Sequence, residues 1–175
     1  MKRKATPRSA SSRASRIRLL VLDVDGVLTD GVLVYGASGE EIKRFHVHDG
    51  LAIQGARRAG IEIAVISGRA SAAVTRRMSE LGVVEVHQGV ADKESLLRGL
   101  VARLGVKMAE TAVMGDDLPD LALMRIAGLA LAPADAVPEV RRAAGWVAQG
   151  GGGHGAVREA IELLLRSRKA WPPRK

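Results

Sequence analysis

The sequence predicts an α/β fold, a Rossmann-like doubly wound parallel sheet with helices on both faces. Short runs rich in Val, Ile, Leu and Ala alternate along the chain with longer amphipathic stretches, the pattern of strands joined by crossover helices. The apolar runs are nearly continuous, as in strands buried on both sides. With 175 residues, 47% hydrophobic content and no internal repeat or linker, the chain suits one domain.

The elements of this fold are expected in a regular order. Strands are predicted where the apolar runs lie, at 18–23, 61–66, 83–87, 111–114, 128–132 and, as a shorter run, 146–148. Helices are predicted on the amphipathic stretches between and after them, at 50–59, 71–81, 92–104, 118–126, 138–143 and 155–166. The predicted domain therefore spans 17–166.

Residues 31–48 break this alternation. They read as a strand, a Gly-Ala-Ser-Gly turn and a second strand with alternating apolar positions, which predicts a small β-hairpin insertion. A lone two-stranded ribbon is marginal in water, so it should pack beside the sheet or pair with ribbons of other subunits. His46 and His48 alternate along it, and without a third ligand we expect them at exposed or interface positions.

The net charge of +8 belongs to the two ends of the chain. Residues 1–18 carry seven Lys and Arg, residues 166–175 carry five, and neither segment contains an acid, which leaves 15 basic and 19 acidic residues between them. We expect 1–16 to be a disordered basic tail and 167–175 to be a basic C-terminal tail. Trp171 should pack on the body or on a neighbouring subunit.

Composition excludes several classes of function. Aromatic residues make up only 2% of the chain, so stacking platforms for nucleic acid are not expected. No apolar run approaches the ~20 residues of a membrane span, so no membrane partner is expected. The chain has no cysteine, which rules out disulfides and thiolate metal sites and fits a cytoplasmic protein.

Polar residues follow four of the predicted strands. Because ligands of open α/β sheets bind at the carboxyl ends of the strands, chemistry is expected there. The first strand end gives Asp23 and Asp25, the second gives Ser67 just before a helix, and Lys93 begins the helix after the third. The remaining candidates at these ends are Gly26, Thr29, Gly68, Arg69, Asp116, Asp117 and Asp120.

These residue types together predict phosphoryl transfer. Carboxylates with only oxygen partners form a hard-cation site, and Mg²⁺ uses one or two carboxylates together with water and a phosphate oxygen. The Ser67 hydroxyl, the backbone N–H groups of the Ser-Gly turn and the Lys93 ammonium are donors suited to phosphoryl oxygens. Two aspartates spaced by one residue suffice for a nucleophile and a general acid/base.

Four motifs of the sequence resemble those of the haloacid dehalogenase superfamily, and they occur in the same order. They are DVDGVLTDG, ISGR, Lys93 and GDDLPD. Further features are similar to the 3-deoxy-D-manno-octulosonate 8-phosphate phosphatase family. They are the segments FHVHDG, GLALAPADA and GGHGAVRE and a short ribbon at the place where larger members insert a cap domain. The resemblance covers roughly 17–165. It implies a Mg²⁺-dependent phosphatase of lipopolysaccharide precursor synthesis that acts on a small phosphorylated sugar acid.

The resemblance also implies roles for individual residues. Asp23 would be the nucleophile and Asp25 the general acid/base, and both would join Asp116 as metal ligands, Asp25 through its backbone carbonyl. Ser67 and Lys93 would bind the phosphoryl group. The other substrate-binding positions it implies are Thr29, Gly68, Arg69 and Arg77. Family members assemble as tetramers through their ribbons, which implies a homotetramer.

Some alternatives remain open at this point. Asp117 and Asp120 either support the metal's waters or cap the helix near Leu118. At position 48 some relatives carry Arg, so an anion contact by His48 would be weaker and pH-dependent. The substrate could instead be a nonulosonate 9-phosphate of the sialic-acid type. A receiver-like signalling domain also accepts phosphate on an aspartate, but Asp25, two residues further on, speaks against this reading.

Overall fold

Six parallel strands form the central sheet of the computed structural model, which describes residues 7–173. They are β1 (Leu19–Leu22), β4 (Glu62–Ile66), β5 (Glu85–His87), β6 (Thr111–Met114), β7 (Leu129–Ala132) and β8 (Trp146–Val147). Their order in the sheet is β5-β4-β1-β6-β7-β8. A separate antiparallel hairpin consists of β2 (Val34–Tyr35) and β3 (Glu41–Ile42). The predicted sheet and the small hairpin are both confirmed.

Seven α-helices accompany the strands in the described part of the chain. They are α1 (Pro7–Ala14), α2 (Val47–Arg58), α3 (Ala72–Glu80), α4 (Lys93–Leu104), α5 (Leu121–Ile126), α6 (Pro138–Ala143) and α7 (Ala156–Ser167). Short helical turns occupy Met108–Glu110 and Leu118–Asp120, and one wide turn, Val24–Leu28, follows β1 directly. The predicted helices from 50 onward all have a counterpart within a few residues.

The sheet separates two hydrophobic cores, because successive side chains of a strand point to opposite faces. Leu20 and Leu22 of β1 pack with α2, α3 and α7 on one face. Leu19 and Val21 pack with α4, α5 and α6 on the other. All four side chains are almost completely buried, which explains why this strand reads as an unbroken apolar run.

The strand order reverses at β1, and this reversal places the site. After β1 the chain builds β4 and β5 on one side, then returns to build β6, β7 and β8 on the other. The crevice of such a sheet opens at the carboxyl ends of the strands where the order switches. Asp23, the residue that follows β1, therefore lies at the mouth of this crevice.

The prediction of a disordered segment over 1–16 is wrong for residues 7–16. Helix α1 occupies Pro7–Ala14, and Ala10 and Ala14, one helical turn apart, are buried. Ala14 joins the same hydrophobic core as α7. Small alanine side chains let the helix approach closely, a feature that composition alone does not reveal. Residues 1–6 lie outside the described part of the chain.

The hairpin is shorter than predicted, because its second strand ends at Ile42 and helix α2 already begins at Val47. The ring nitrogen Nδ1 of His46 accepts the backbone N–H of His48 at 3.2 Å and so caps this helix. His48 is exposed, whereas His46 is half-buried. The prediction of a strand through Val47 is therefore wrong, because β3 ends at Ile42 and His46 caps the start of helix α2.

Trp171 confirms the expectation that it packs on the body of the protein. Its ring lies against the core beneath α7, and the guanidinium carbons of Arg158 and Arg166 lie 4.7 Å and 5.7 Å from the ring centroid. These are cation–π distances. The C-terminal segment that follows α7 is thus held against the domain as far as Pro173, which approaches Gly55.

Candidate active site

The ends of β1 and β6 bring two aspartates together. The strands pair in register, with Leu22 opposite Met114, and the Asp23 N–H donates to the Met114 carbonyl at 3.1 Å. Asp116 follows β6 by two residues. Together with Asp120, these residues form a group whose nearest carboxylate oxygens all lie within 4.8 Å of one another. The predicted convergence of the first and last acidic motifs is present.

Gly26 makes the close approach of the two acidic motifs possible. Its φ of +85° lies in the left-handed region that favours glycine. A Cβ atom at this position would lie 2.0 Å from Oδ2 of Asp116. The turn after β1 therefore needs a glycine both for its backbone conformation and for space beside the Asp116 carboxylate.

Lys93 provides the positive charge of the site. As the first residue of α4, it follows Asp92, whose side chain caps the helix by accepting the Ser95 N–H at 3.0 Å. Its Nζ lies 3.1 Å from Oδ1 of Asp23 and 2.8 Å from Oδ1 of Asp120, and the side chain is only 9% exposed. Burial alone would lower the pKa of Lys93, but these two carboxylates raise it above its usual value.

Burial and the neighbouring carboxylates raise the pKa values of Asp23 and Asp116, and Lys93 does not compensate fully for these effects. Burial, reinforced by the negative charge of Asp120, raises the pKa of Asp23 to about 6 although Lys93 opposes the shift. Burial and the same neighbour raise the pKa of Asp116 to about 7. Oδ1 of Asp116 is buried without a hydrogen-bond partner among residues 7–173. A buried carboxylate oxygen that has no hydrogen-bond donor and lies among other carboxylates is suited to bind a metal cation.

Asp120 and Asp117 turn out to have different environments. Asp120 is 2% exposed and uses one oxygen for Lys93, while its Oδ2 accepts the backbone N–H of Asp116 at 3.1 Å. Asp117 is exposed, and its Oδ1 accepts the N–H of Leu118 at 2.7 Å. Asp117 therefore caps the turn, whereas Asp120 belongs to the carboxylate cluster and also fixes the loop that carries Asp116.

Asp25 lies beside the cluster and contacts cations from other elements. Its Oδ1 pairs with Nζ of Lys43, and its Oδ2 lies 3.6 Å from Nε of Arg69. Lys43 comes from the end of the hairpin and was missed by the sequence analysis. Its only signal was its alternation with Glu41 in the second ribbon strand, which places both side chains on one face. The side chain of Glu41 contacts both Lys43 and Arg69.

Ser67 is correctly placed at a strand end, but it does not begin a helix. It is 3% exposed, its N–H donates to the His87 carbonyl at 2.9 Å, and its Oγ accepts the Arg69 N–H at 3.2 Å. Helix α3 begins only at Ala72, after Ser71. The expectation of a Ser-Gly turn at a helix start is therefore wrong, because residues 68–70 form an exposed loop between Ser67 and the start of α3.

Comparisons with known proteins agree with this geometry. Residues 75–159 match the family model of haloacid dehalogenase-like hydrolases. The 3-deoxy-D-manno-octulosonate 8-phosphate phosphatase of Salmonella typhi is 44% identical over 154 residues, which cover 88% of this chain and 82% of that protein. The phosphatase of the same name from Escherichia coli K12 is 43% identical over 154 residues, again 88% of this chain and 82% of that protein. The chain belongs to this phosphatase family. Its predicted class, a phosphoric monoester hydrolase, is thereby confirmed.

A solved structure of the same family has nearly the same fold. The phosphatase of Moraxella catarrhalis, crystallised with a magnesium ion, a phosphate ion and a KDO molecule, is 40% identical to this chain. It superposes with a TM-score of 0.91, and the match covers 94% of each chain. The likeness extends over nearly the whole chain, so the two proteins share one fold.

Two substrate-binding positions implied by the phosphatase resemblance lie outside the carboxylate cluster. Thr29 is buried, and its Oγ1 donates to the Val24 carbonyl at 3.3 Å, which closes the wide turn after β1. Arg77 of α3 pairs with Glu80 at 3.2 Å and lies against Gly50 of α2. Thr29 thus shapes the loop of Asp25, while Arg77 faces a groove that also contains His46 and Asp49.

The glycine run near the C-terminus packs on this loop as well. The Gly153 N–H donates to the Val27 carbonyl at 3.0 Å, and a Cβ at Gly152 would lie 2.0 Å from the Gly26 carbonyl oxygen. Asp135 accepts the Gly152 N–H at 3.0 Å. In this family member, then, the glycine run supports the turn that carries Asp25, a role that the sequence analysis did not assign to it.

No helix within residues 7–173 combines the length and the apolar character that a membrane crossing requires.

Proposed function

We propose that this protein is a cytoplasmic, Mg²⁺-dependent phosphomonoesterase that hydrolyses 3-deoxy-D-manno-octulosonate 8-phosphate to 3-deoxy-D-manno-octulosonate and inorganic phosphate. The reaction supplies a precursor of lipopolysaccharide. The observation that carries the proposal is the cluster of Asp23, Asp116 and Asp120 facing the Lys93 ammonium. Relatives 44% and 40% identical bear the name of this activity, and one of them holds magnesium, phosphate and the sugar acid.

The metal would be held by the side chains of Asp23 and Asp116 and by the backbone carbonyl of Asp25. The orphaned Oδ1 of Asp116 and the raised pKa values of Asp23 and Asp116 support this assignment. When bound, Mg²⁺ neutralises negative charge on the carboxylates and on the phosphoryl oxygens. Asp120 supports the site, because it fixes the backbone of Asp116 and the ammonium of Lys93.

The protein's own groups carry out the transfer in two steps. A carboxylate oxygen of Asp23 attacks phosphorus, the ester P–O bond breaks, and Asp25 gives its proton to the departing alkoxide. Asp25 then takes a proton from water, whose oxygen attacks the aspartyl-phosphate and releases inorganic phosphate and the Asp23 carboxylate. Lys93, Ser67 and the N–H of Gly68 bind the phosphoryl oxygens throughout.

The rest of the substrate would be recognised by basic residues outside the cluster. Arg69 lies beside Asp25, which suits contact with the carboxylate or hydroxyl groups of a sugar acid. Arg77 lies in the groove between α2 and α3, and it remains a proposed substrate contact.

Assembly into a homotetramer through the hairpin is part of this proposal. Val32, just before the hairpin, and Tyr35, within it, are each 59% exposed, and Val47 at the start of α2 is 75% exposed. Leu33, Val34 and Ile42 add further exposed apolar surface. An exposed patch of this kind is typical of a protein–protein contact. Sedimentation analysis of the wild-type chain and of Tyr35→Ser would test it, since the substitution should favour smaller species.

A panel of sugar-acid phosphates assayed with Mg²⁺ tests the substrate. We expect kcat/KM for the eight-carbon 3-deoxy-D-manno-octulosonate 8-phosphate to exceed that for nine-carbon nonulosonate 9-phosphates by roughly tenfold or more, since one extra substituent in a fitted pocket is worth about that factor. The Asp23→Asn variant, prepared in parallel, controls for host phosphatases. A preference for the nine-carbon esters would assign the protein to the sialic-acid-type alternative.

A further inference from the structure

We propose that Lys43, with Glu41, is a positioning residue that aims the Asp25 carboxyl group at the leaving oxygen of the substrate. The inference rests on the proposed function, since it needs Asp25 to protonate the departing alkoxide. It concerns a contact between the hairpin and the turn after β1, two elements joined by side chains rather than by backbone pairing.

Lys43 is unusually enclosed for a hairpin lysine. Its side chain is only 2% exposed, whereas that of the neighbouring Arg44 is 76% exposed. A buried ammonium is costly unless it is paired, and Lys43 has two partners, Oδ1 of Asp25 and, at 3.3 Å, Oε1 of Glu41. Its position is therefore determined by these carboxylates and not by solvent.

Glu41 completes a closed set of ion pairs around Asp25. Oε1 of Glu41, the oxygen that contacts Lys43, also accepts a hydrogen bond from Nη2 of Arg69 at 2.8 Å. Arg69 in turn places its Nε 3.6 Å from the second oxygen of Asp25. Each oxygen of Asp25 thus has its own cation, and one glutamate of β3 holds both cations in place.

This arrangement matters because Asp25 lies on an irregular stretch of backbone. It follows β1 by three residues, its φ and ψ of −76° and 117° are not helical, and Gly26 after it has a positive φ. The direction of its side chain therefore depends on the contacts of its two oxygens. A general acid must lie within hydrogen-bond reach of the atom that it protonates, and small misplacements of a catalytic group cost large factors in rate.

The test compares esters that need a proton on the leaving group with one that does not. The value of kcat/KM reports the steps up to the first P–O cleavage, and p-nitrophenolate leaves without protonation. For Lys43→Met we expect kcat/KM to fall about 100-fold for the sugar-acid phosphate, within the range that a general acid contributes, but less than about fivefold for p-nitrophenyl phosphate. Lys43→Arg should recover a large part of the loss, because it restores a cation.

Matched controls separate positioning from a general effect on folding. Arg44→Met removes a cation from the adjacent exposed position of the hairpin and should leave both substrates unaffected. Equal losses on both substrates in Lys43→Met, or no loss on either, would overturn the proposal. If the wild-type protein prefers another alkyl phosphate, the proposed substrate fails, and the same comparison of that alkyl ester with p-nitrophenyl phosphate still decides the role of Lys43.

Discussion

Oδ1 of Asp120 accepts a hydrogen bond from Nζ of Lys93 at 2.8 Å, which ties the turn after β6 to the first residue of α4. Through its other oxygen Asp120 also holds the backbone of Asp116. One side chain thus fixes both a proposed metal ligand and the cation that faces the phosphoryl group. The arrangement of the cluster therefore depends on Asp120 as well as on the strand ends.

Replacing Asp120 with Asn should weaken Mg²⁺ binding about 10- to 100-fold, the usual cost of losing a partner that orients a metal ligand. The measurement is the Mg²⁺ concentration that gives half-maximal phosphate release. Asp117→Asn is the matched control, because Asp117 is exposed and caps only Leu118. Equal Mg²⁺ dependence in the two variants would show that Asp120 has no such role.

Replacing Asp23 with Asn should abolish phosphate release, with a loss of roughly 10⁴-fold or more, because the amide cannot act as the nucleophile. The melting temperature of the metal-free variant should be unchanged or higher, since burial and Asp120 already disfavour the Asp23 charge. Phosphate release and a thermal melt by circular dichroism measure the two effects. Substantial turnover in a preparation free of host phosphatases would contradict the nucleophile assignment.

Removing divalent metal with EDTA should stop hydrolysis, and excess Mg²⁺ should restore it, because the charges of Asp23 and Asp116 and of the phosphoryl group then repel one another without compensation. The melting temperature should rise with Mg²⁺ concentration, as for any ligand that binds only the folded state. Full activity after exhaustive chelation would exclude a metal role.

The stability of the metal-free protein should fall as the pH rises from about 4 to about 7. The pKa of Asp23 is raised from 3.8 to about 6 and that of Asp116 from 3.8 to about 7. Between the usual and the raised pKa values, the folded state binds more protons than the unfolded state. The stabilisation that these two carboxyl groups give the folded state is therefore fully present below pH 3.8 and is lost as the pH rises through about 6 and 7. Urea unfolding in EDTA at several pH values measures this trend.

The Asp116→Asn variant provides the comparison for the pH prediction. It removes the carboxyl group with the more strongly raised pKa, so its unfolding free energy should depend less steeply on pH over the same interval. An identical slope in the variant and the wild-type chain would mean that this carboxyl group does not titrate differently in the folded protein.

Replacing Gly152 with Ala should displace the turn of Asp25 and lower kcat by about tenfold or more, because the new Cβ would lie 2.0 Å from the carbonyl oxygen of Gly26. Steady-state kinetics and a thermal melt measure the effect. Gly99→Ala is the control, since a Cβ at this position of α4 meets nothing within 4 Å and should stabilise the helix slightly. Equal kinetics in the two variants would show that the glycine run does not support the turn.

The sequence predicted the sheet well because its strands are buried on both faces. The run that became β1 was predicted at 18–23 and observed at Leu19–Leu22, and the acidic motifs at the ends of β1 and β6 meet as expected. Such positions are determined by local apolar pattern and by the topology of parallel sheets.

The parts that the sequence did not predict depend on contacts between distant segments. Lys43 pairs with a residue 18 positions earlier, and its alternation with Glu41 indicates a face of the ribbon but not the residue that it contacts. Helix α1 is stabilised by burial of two alanines rather than by a wide apolar face, so its composition looked like that of a solvated tail. Arg77 has a regular helical position, but its direction depends on the packing of α3 against Gly50.

The contact of Trp171 with two arginines gives the protein an intrinsic optical probe. The chain contains only two tryptophans, and the ring of Trp171 stacks beneath Arg158, whose backbone N–H donates to Asp49 of α2 at 2.8 Å. In a Trp146→Phe background, indole emission would come from this single ring. Detachment of the last few residues from the domain could then be followed separately from global unfolding, without any attached dye.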